Sequence, residues 1–388
     1  MRRMLVLVAP VAVAVALAGC GAASSGPSTT ASSWSRVLAE AKGQTVNWWL
    51  YGGDAATNAF VERYVKPAAG RLGVTVNRVP VSDTVDAVDR VVAERRAGKS
   101  SGGAVDLIWI NGENFAEGKE AGLWLEGWAQ RLPNSRYVDW SSPIINRDFE
   151  VPVEGQESPW QGAAFVYGYN SATLSSPPRS FPALLAWAKA HPGRFTYPAP
   201  PDFTGAAFVR QVIQRLGGVG KGLRFLRELK PYQFEGGTQF PTSIDELDQL
   251  FANGQVDFDM SYNASFLNLG VKKGEFPTTV RPFLIGGGAL QNTSYVTIPA
   301  NAEHVAGAEV VANLLLDPRL QAAMSDPAVL GTPSVLDPAR VTRARAVALR
   351  SSASRSPYLL SALGKPLGEL PASRDVPIEE AWTRTVLR

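Results

Sequence analysis

Three times between residues 46 and 121 an apolar run is cut off by a polar or glycine-bearing turn, and a helical pattern follows. Val46 to Leu50 (VNWWL) reads as a buried strand closed by Tyr51-Gly52-Gly53-Asp54. The helical run from Ala55 to Leu72 then carries Phe60, Tyr64 and Ala68 on one face, and Asp54 stands where an N-cap belongs. Val74 to Val81 alternates apolar and polar residues, the period of a strand. Ser82 or Asp83 opens a helix bearing Val85, Val88 and Val92, and Gly98 ends it. Val105 to Ile110 (VDLIWI) is the third run, with Asn111-Gly112-Glu113-Asn114 after it and a helix near Phe115 to Ala121. Strand and helix in strict alternation are the pattern of an α/β protein with a parallel, doubly wound sheet.

The pattern breaks between Pro143 and Gln161, a stretch of Pro, Glu and Gly without periodicity, and resumes at Ala163 to Asn170 (AAFVYGYN), a strand. Phe181 to Ala190 reads as a helix and Arg194 to Tyr197 as a short strand. Pro198 to Thr204 is a stiff loop feeding a helix from Gly205 to Leu216. Ser243-Ile244-Asp245-Glu246 is a capping-box pattern for a helix that Gly254 closes. Val256 to Met260 is a strand that runs into Ser261-Tyr262-Asn263-Ala264. Further strands fall at Thr279 to Ile285 and Tyr295 to Ile298, and helices at Val305 to Leu316 and after Pro338. No internal repeat is visible. Two α/β lobes, crossed more than once by the chain, fit this order.

Before the body, Arg2 and Arg3 precede an apolar stretch from Leu5 to Leu17, broken only by Pro10, and then Leu17-Ala18-Gly19-Cys20. A basic start, an apolar core and a small-residue ending are the parts of a secretory signal, and the core is too short to span a bilayer as a helix. The ending, at the chain's single Cys, resembles the lipobox of bacterial lipoproteins. That resemblance implies cleavage before Cys20 and a lipid on its sulfur; an ordinary secretory signal that ends in Cys is the other reading. Gly21 to Ser33 is nearly all Gly, Ala, Ser, Thr and Pro, the composition of a flexible tether. Residues 1–19 are therefore read as signal peptide and 20–36 as a lipid-anchored linker. With no second Cys there is no disulfide, so the core alone must hold the body. A net charge of +3, from 38 basic and 35 acidic residues without a basic stripe, argues against a nucleic-acid protein.

In open α/β sheets ligands lie beyond the carboxyl ends of the strands. Four loops fall there: 51–54, 111–114, 202–205 and 261–264. Tyr51, Phe203 and Tyr262 offer apolar faces. Asn111, Asn114, Asn263 and Thr204 offer hydrogen bonds, and Asp54, Glu113 and Asp202 negative charge. Gly52, Gly53, Gly112 and Gly205 let backbone approach a ligand. Read otherwise, these are N-caps and turns. Enzyme motifs fail on context. Gly98-Lys99-Ser100-Ser101-Gly102 has the form of a nucleophile elbow but follows a helix and precedes a strand, the reverse of what that motif needs. His191 and His304 are the only histidines, and neither sits in a suggestive setting. Gly217-Gly218-Val219-Gly220-Lys221 lacks the first glycine and the trailing Ser or Thr of a phosphate loop, and reads as a turn between helices. No His, Cys and carboxylate cluster has zinc spacing.

Three stretches carry a resemblance to the substrate-binding lipoproteins of ABC importers, extracellular solute-binding family 1. Phe165-Val166-Tyr167-Gly168-Tyr169-Asn170 resembles that family's strand into the second lobe. Gly254 to Tyr262 (GQVDFDMSY) resembles its late second-lobe strand, and His304 to Glu309 through Leu316 to Gln321 its late helix. Within the group the chain is similar to the YnjB-like branch, near the thiamine and iron binders. The resemblance implies a type II periplasmic-binding fold with a ligand cleft between hinged lobes: 37–160 and 285–335 for lobe 1, 161–284 and 336–388 for lobe 2. It implies a binding protein rather than an enzyme, without cofactor or metal. Its partners would be a small solute, an ABC permease with its ATPase subunits, and the outer face of the cell membrane through Cys20; it would act as a monomer. Asp202, Thr204 and Gly205 would match the family's anion-tolerant helix N-terminus, and Tyr262 and Asn263 the loop where thiamine binders place an aromatic. Tyr167 joins the site residues on the same basis. Trp160 suits a sugar ring or the core equally. No adjacent Tyr-Tyr pair exists, so iron ligation of the group's kind is not implied. The solute expected is small and polar, cationic or heteroaromatic; a secreted α/β hydrolase and an envelope interaction lipoprotein are the other classes kept open.

Overall fold

The computed structural model describes residues 34–343, 346 and 356–388; the signal, Cys20 and the linker to residue 33 lie outside them. Helix α1 (Trp34–Ala41) leads to β1 (Thr45–Tyr51). Asp54 caps the next helical run, its Oδ1 accepting the amide N–H groups of Ala56 and Thr57 at 2.9 and 3.0 Å. That run is α2 (Ala55–Phe60) and α3 (Lys66–Gly70), joined by a π-helical turn over Val61–Val65. There follow β2 (Thr75–Val81), α4 (Val85–Arg96), β3 (Leu107–Ile110), α5 (Gly112–Glu120) and α6 (Pro143–Asn146). The stretch without periodicity holds a small hairpin, β4 (Arg147–Asp148) with β5 (Val151–Pro152), and then β6 (Glu157–Ala164). The rest of the chain gives β7 (Val166–Asn170), α7 (Phe181–Ala190), α8 (Phe203–Leu216), α9 (Val219–Leu229), α10 (Ile244–Ala252), β8 (Phe258–Ser261), α11 (Phe266–Lys273), β9 (Val280–Phe283) and β10 (Gln291–Thr297). Helices α12 (Val305–Leu315), α13 (Pro318–Ser325) and α14 (Asp375–Trp382) close it.

The first sheet has the order β2-β1-β3-β10-β6. Strands β1, β2 and β3 are parallel, as the alternation requires, but β10 runs antiparallel to both β3 and β6, so the sheet is mixed. The second sheet, β8-β7-β9, is antiparallel throughout. Three expectations need correcting. Residues 163–170 are not one strand: Ala163 and Ala164 end β6 in the first sheet, while Val166 begins β7 in the second. Arg194 to Tyr197 is not a strand; Tyr197 instead faces inward, and its ring lies 4.5 Å from that of Phe208. Beyond residue 338, the described residues 356–371 carry no helix.

Each sheet has its own core. Trp48, Trp128 and Trp160 anchor the first with Val310, Val311 and Leu315 of α12, and it reaches on to Leu336. Phe165, Tyr167, Tyr197, Phe208 and Phe258 anchor the second, and Ile378 and Trp382 of α14 join it. The chain leaves the first sheet after Ala164 and re-enters it between Phe283 and Gln291.

Candidate ligand-binding cleft

The turn after β1 is built around its glycines. Gly52 N–H donates to Val81 O at 2.8 Å, and Asn58 Nδ2 donates to Gly52 O at 2.7 Å. Tyr51 folds back over Gly53, where a Cβ would stand 2.3 Å from the tyrosine oxygen. Burial holds the Tyr51 hydroxyl above its ordinary pKa, and the charges of Asp202, Asp245, Asp54 and Asp248 raise it further. This end of the first lobe thus faces the N-termini of α8 and α10 in the second. Asp202 caps α8, its Oδ1 accepting Gly205 N–H at 2.9 Å. Burial pushes the Asp202 carboxyl up to about 6, against the pull of the Gly205, Thr204 and Ile244 N–H groups. Burial likewise lifts Asp248 to about 7, and Asp245, nearer water, rises for the same reason with Asp54 adding to it. Gly205 has to be glycine: a Cβ would lie 1.9 Å from Pro198 O.

The 111–114 loop meets the second lobe at an adjoining place. Asn111 Nδ2 donates to Thr293 O and Gly112 N–H to Asp148 Oδ2, both at 2.7 Å. Gly112 has φ +60, and a Cβ on it would press within 3.3 Å of the Phe149 ring. Phe149 and Glu150 form the β4–β5 turn with φ of 43° and 67°, the left-handed region that side chains disfavour. That turn projects Phe149 across the lobe boundary. Its ring lies 6.5 Å from that of Phe203 and 5.2 Å from the Arg210 guanidinium, and its C=O accepts Ala372 N–H at 3.0 Å. Arg210, 3 % exposed, donates Nε–H to Glu369 Oε2 at 3.0 Å and sits 3.9 Å from Asp375. Tyr262 O–H donates to Glu369, and the Tyr262 ring lies 5.0 Å from that of Phe203. One guanidinium does not balance this neighbourhood. Burial takes Asp375 to about 8; Arg210 opposes the rise, while Glu113 and Glu369 add to it. Burial takes Glu379 to about 7, with Glu113 again adding.

The structure therefore gathers Tyr51, Gly52, Gly53, Asp54, Asp202, Phe203, Thr204 and Gly205 at one junction of the lobes. It gathers Asn111, Gly112, Glu113 and Tyr262 at the adjoining one, and Asn114 is 9 % exposed. Trp160 and Tyr167 are corrections. Both are fully buried: Trp160 packs edge-on to Trp48 and Trp109 at 5.6 and 5.3 Å, and Tyr167 O–H donates to Gln211 inside the second core. Neither has surface to offer a solute. Asn263 is spent on structure, accepting Ser265 N–H at 2.8 Å and donating to Leu330 O at 3.0 Å. The 202–205 loop reaches the cleft as a helix N-terminus, not as the end of a strand. Phe149, Asp148, Arg210, Glu369 and Asp375 escaped the sequence reading. Phe-Glu is no turn signature, and the partners of Arg210 lie about 160 positions further along the chain.

Residues 55–348 match the model of the bacterial extracellular solute-binding protein family. The chain belongs to that family. A solute-binding protein of this kind is the extracellular component of an ABC transporter. The chain is 39 % identical over 340 residues to Protein YnjB of Escherichia coli (strain K12), covering 83 % of this chain and 87 % of YnjB. Among solved structures it is similar to a periplasmic thiamin binding protein, with a TM-score of 0.63 at 14 % identity over 89 % of this chain and 96 % of that one. It is similar as well to the periplasmic binding protein AfuA of Actinobacillus pleuropneumoniae, solved with fructose-6-phosphate, with a TM-score of 0.64 at 12 % identity over 88 % and 98 %. At those identities the shared property is the two-lobed fold. No described helix is long and apolar enough to cross a membrane.

Proposed function

We propose that this solute-binding protein captures a compact cation between its lobes, closes on it by a hinge motion and hands it to a membrane permease without chemistry, while a lipid on Cys20 keeps it at the outer face of the cell membrane. The observation that carries the cationic reading is the surplus of carboxylates at the lobe boundary. Asp54, Asp202, Asp245 and Asp248 gather around Tyr51, and Glu113, Glu369, Asp375 and Glu379 around the single guanidinium of Arg210. Burial keeps several of these carboxyls partly protonated at neutral pH. A bound cation would stabilise their charged forms, so its binding energy and their ionisation reinforce each other. Tyr51, Phe203 and Tyr262 supply aromatic faces to which a cation is attracted. That a thiamin binder shares the fold is consistent with this, whereas AfuA with its sugar phosphate shows that the fold alone does not choose the sign of the charge.

Native mass spectrometry of protein purified from its host tests the reading. The expected result is a carried-over positively charged solute, lost from Asp202→Asn. A neutral or anionic solute in the same position would overturn it. Small-angle scattering should show a smaller radius once the protein is saturated, and an unchanged radius would remove the hinge closure.

A further inference from the structure

We propose that the cavity between the β4–β5 hairpin and residues 366–369 is a subsite for an N–H-bearing cationic group of the solute, a primary ammonium or an amidinium, held by Asp148, Asn292 and Glu369. This deepens the cationic reading and rests on it. The cavity measures about 220 Å³. Asp148, Phe149, Asn292 and Thr293 of the first lobe wall it on one side, and Gly368 and Glu369 from the C-terminal stretch on the other.

What distinguishes this cavity is an imbalance of acceptors over donors. Asp148 is 1 % exposed. Its Oδ2 takes the Gly112 N–H at 2.7 Å and its Oδ1 is buried with no partner; burial holds this carboxyl well above its ordinary range, so an arriving cation displaces a proton and leaves an open charged acceptor. Asn292 is 7 % exposed; its Nδ2 donates to Glu369 Oε1 at 3.2 Å, and its Oδ1 is likewise buried and unpartnered. A buried acceptor without a donor carries an unrecovered desolvation cost, so such groups are rarely left open. Two guanidinium groups are near, and each already has a partner: Arg210 is spent on Glu369 and faces Asp375, and Arg147, which lines the cavity, donates Nη1–H to Glu150 O at 2.8 Å. An incoming group must therefore bring donors and positive charge together. A quaternary ammonium has charge and no N–H, and a neutral hydroxyl has a donor and no charge; neither meets both demands.

Calorimetric titration of the full chain at pH 7.5 with putrescine, agmatine and tetramethylammonium separates the outcomes. Putrescine and agmatine should bind, and tetramethylammonium should bind at least about tenfold more weakly, since it offers no hydrogen bond to the open acceptors. Asp148→Asn keeps an acceptor for Gly112 N–H while removing the charge. It should weaken agmatine by about tenfold or more at an unchanged or higher melting temperature. Asn292→Ala is the second variant, and it should weaken agmatine while leaving tetramethylammonium unmoved. If tetramethylammonium equals agmatine, or if Asp148→Asn binds like wild type while Asp202→Asn does not, the subsite falls and the cationic reading stands. If none of the three cations binds, the subsite falls, and a sugar phosphate binding in their place removes the cationic reading with it.

Discussion

Replacing Asp202 by Asn should make this protein more stable and a poorer receptor at once. In the folded chain the Asp202 carboxyl titrates near 6 against an ordinary 3.8, because burial penalises its charge more than three backbone N–H groups favour it. A folded-state value above the unfolded one means that folding takes up a proton. Stability is then lost as pH rises from about 4 to about 6 and stays lost above that. A rise of this size corresponds to roughly 3 kcal/mol. Asp202 keeps some contact with water, and screening brings the usable figure to about 1–2 kcal/mol. Asn retains the acceptor for Gly205 N–H and drops the charge. In urea at pH 8 the variant should exceed wild type by about 1–2 kcal/mol, and the advantage should vanish at pH 4. Titration with agmatine at pH 8 should show affinity reduced about tenfold or more. If the variant is instead less stable at pH 8, the attraction of a charged cap for the helix N-terminus outweighs its desolvation, and the argument from burial fails.

The same logic extends to the wild-type protein: with Asp202, Glu379 and Asp375 raised to about 6, 7 and 8, the ligand-free protein should melt lower at pH 8 than at pH 5, while cation affinity should rise from pH 5 to pH 8. Parallel slopes for the two quantities would contradict a carboxylate cleft. Glu150→Gly should relieve a left-handed turn residue and raise stability by about 1 kcal/mol in a denaturant titration, and a loss would mean that the Glu150 side chain outweighs its backbone strain. Cys20→Ser should release the protein from membranes without altering the melting of the body, and full retention in the membrane fraction would remove the lipid anchor.

What the sequence made legible is what is written locally. The apolar run of β1, the Asp54 cap and the alternation of β2 each depend on neighbours within a few positions, and they stand where expected. The capping box before α10 holds too, with Ser243 Oγ accepting Glu246 N–H at 3.3 Å, although Glu246 returns its bond to Thr242 N–H at 2.7 Å. β6 was hidden because ESPWQGAA carries a Pro, a Gly and a buried Glu157, a composition that reads as loop until a neighbouring strand is present to pair with it. Trp160 and Tyr167 misled because aromatic residues serve a core and a cleft equally well, and only burial tells them apart. The lobe-boundary charges were least legible. Arg210 looks like any charge on a helix until Glu369, far along the chain, arrives beside it.

One residue, Phe165, separates a strand of the first sheet from a strand of the second, and its N–H donates to Leu290 O at 2.8 Å, on the other crossing between the lobes. Counting, rather than chemistry, is what this junction protects. A strand's side chains alternate faces with a period of two, so one residue inserted beside Phe165 would turn Tyr167 out of the second core or force a bulge, whatever its identity. The parity of the chain between Ala164 and Val166 thus sets how the two lobes face each other. Relatives that diverge freely in the surface loop at 171–179 should keep the number of residues here unchanged even where every side chain differs.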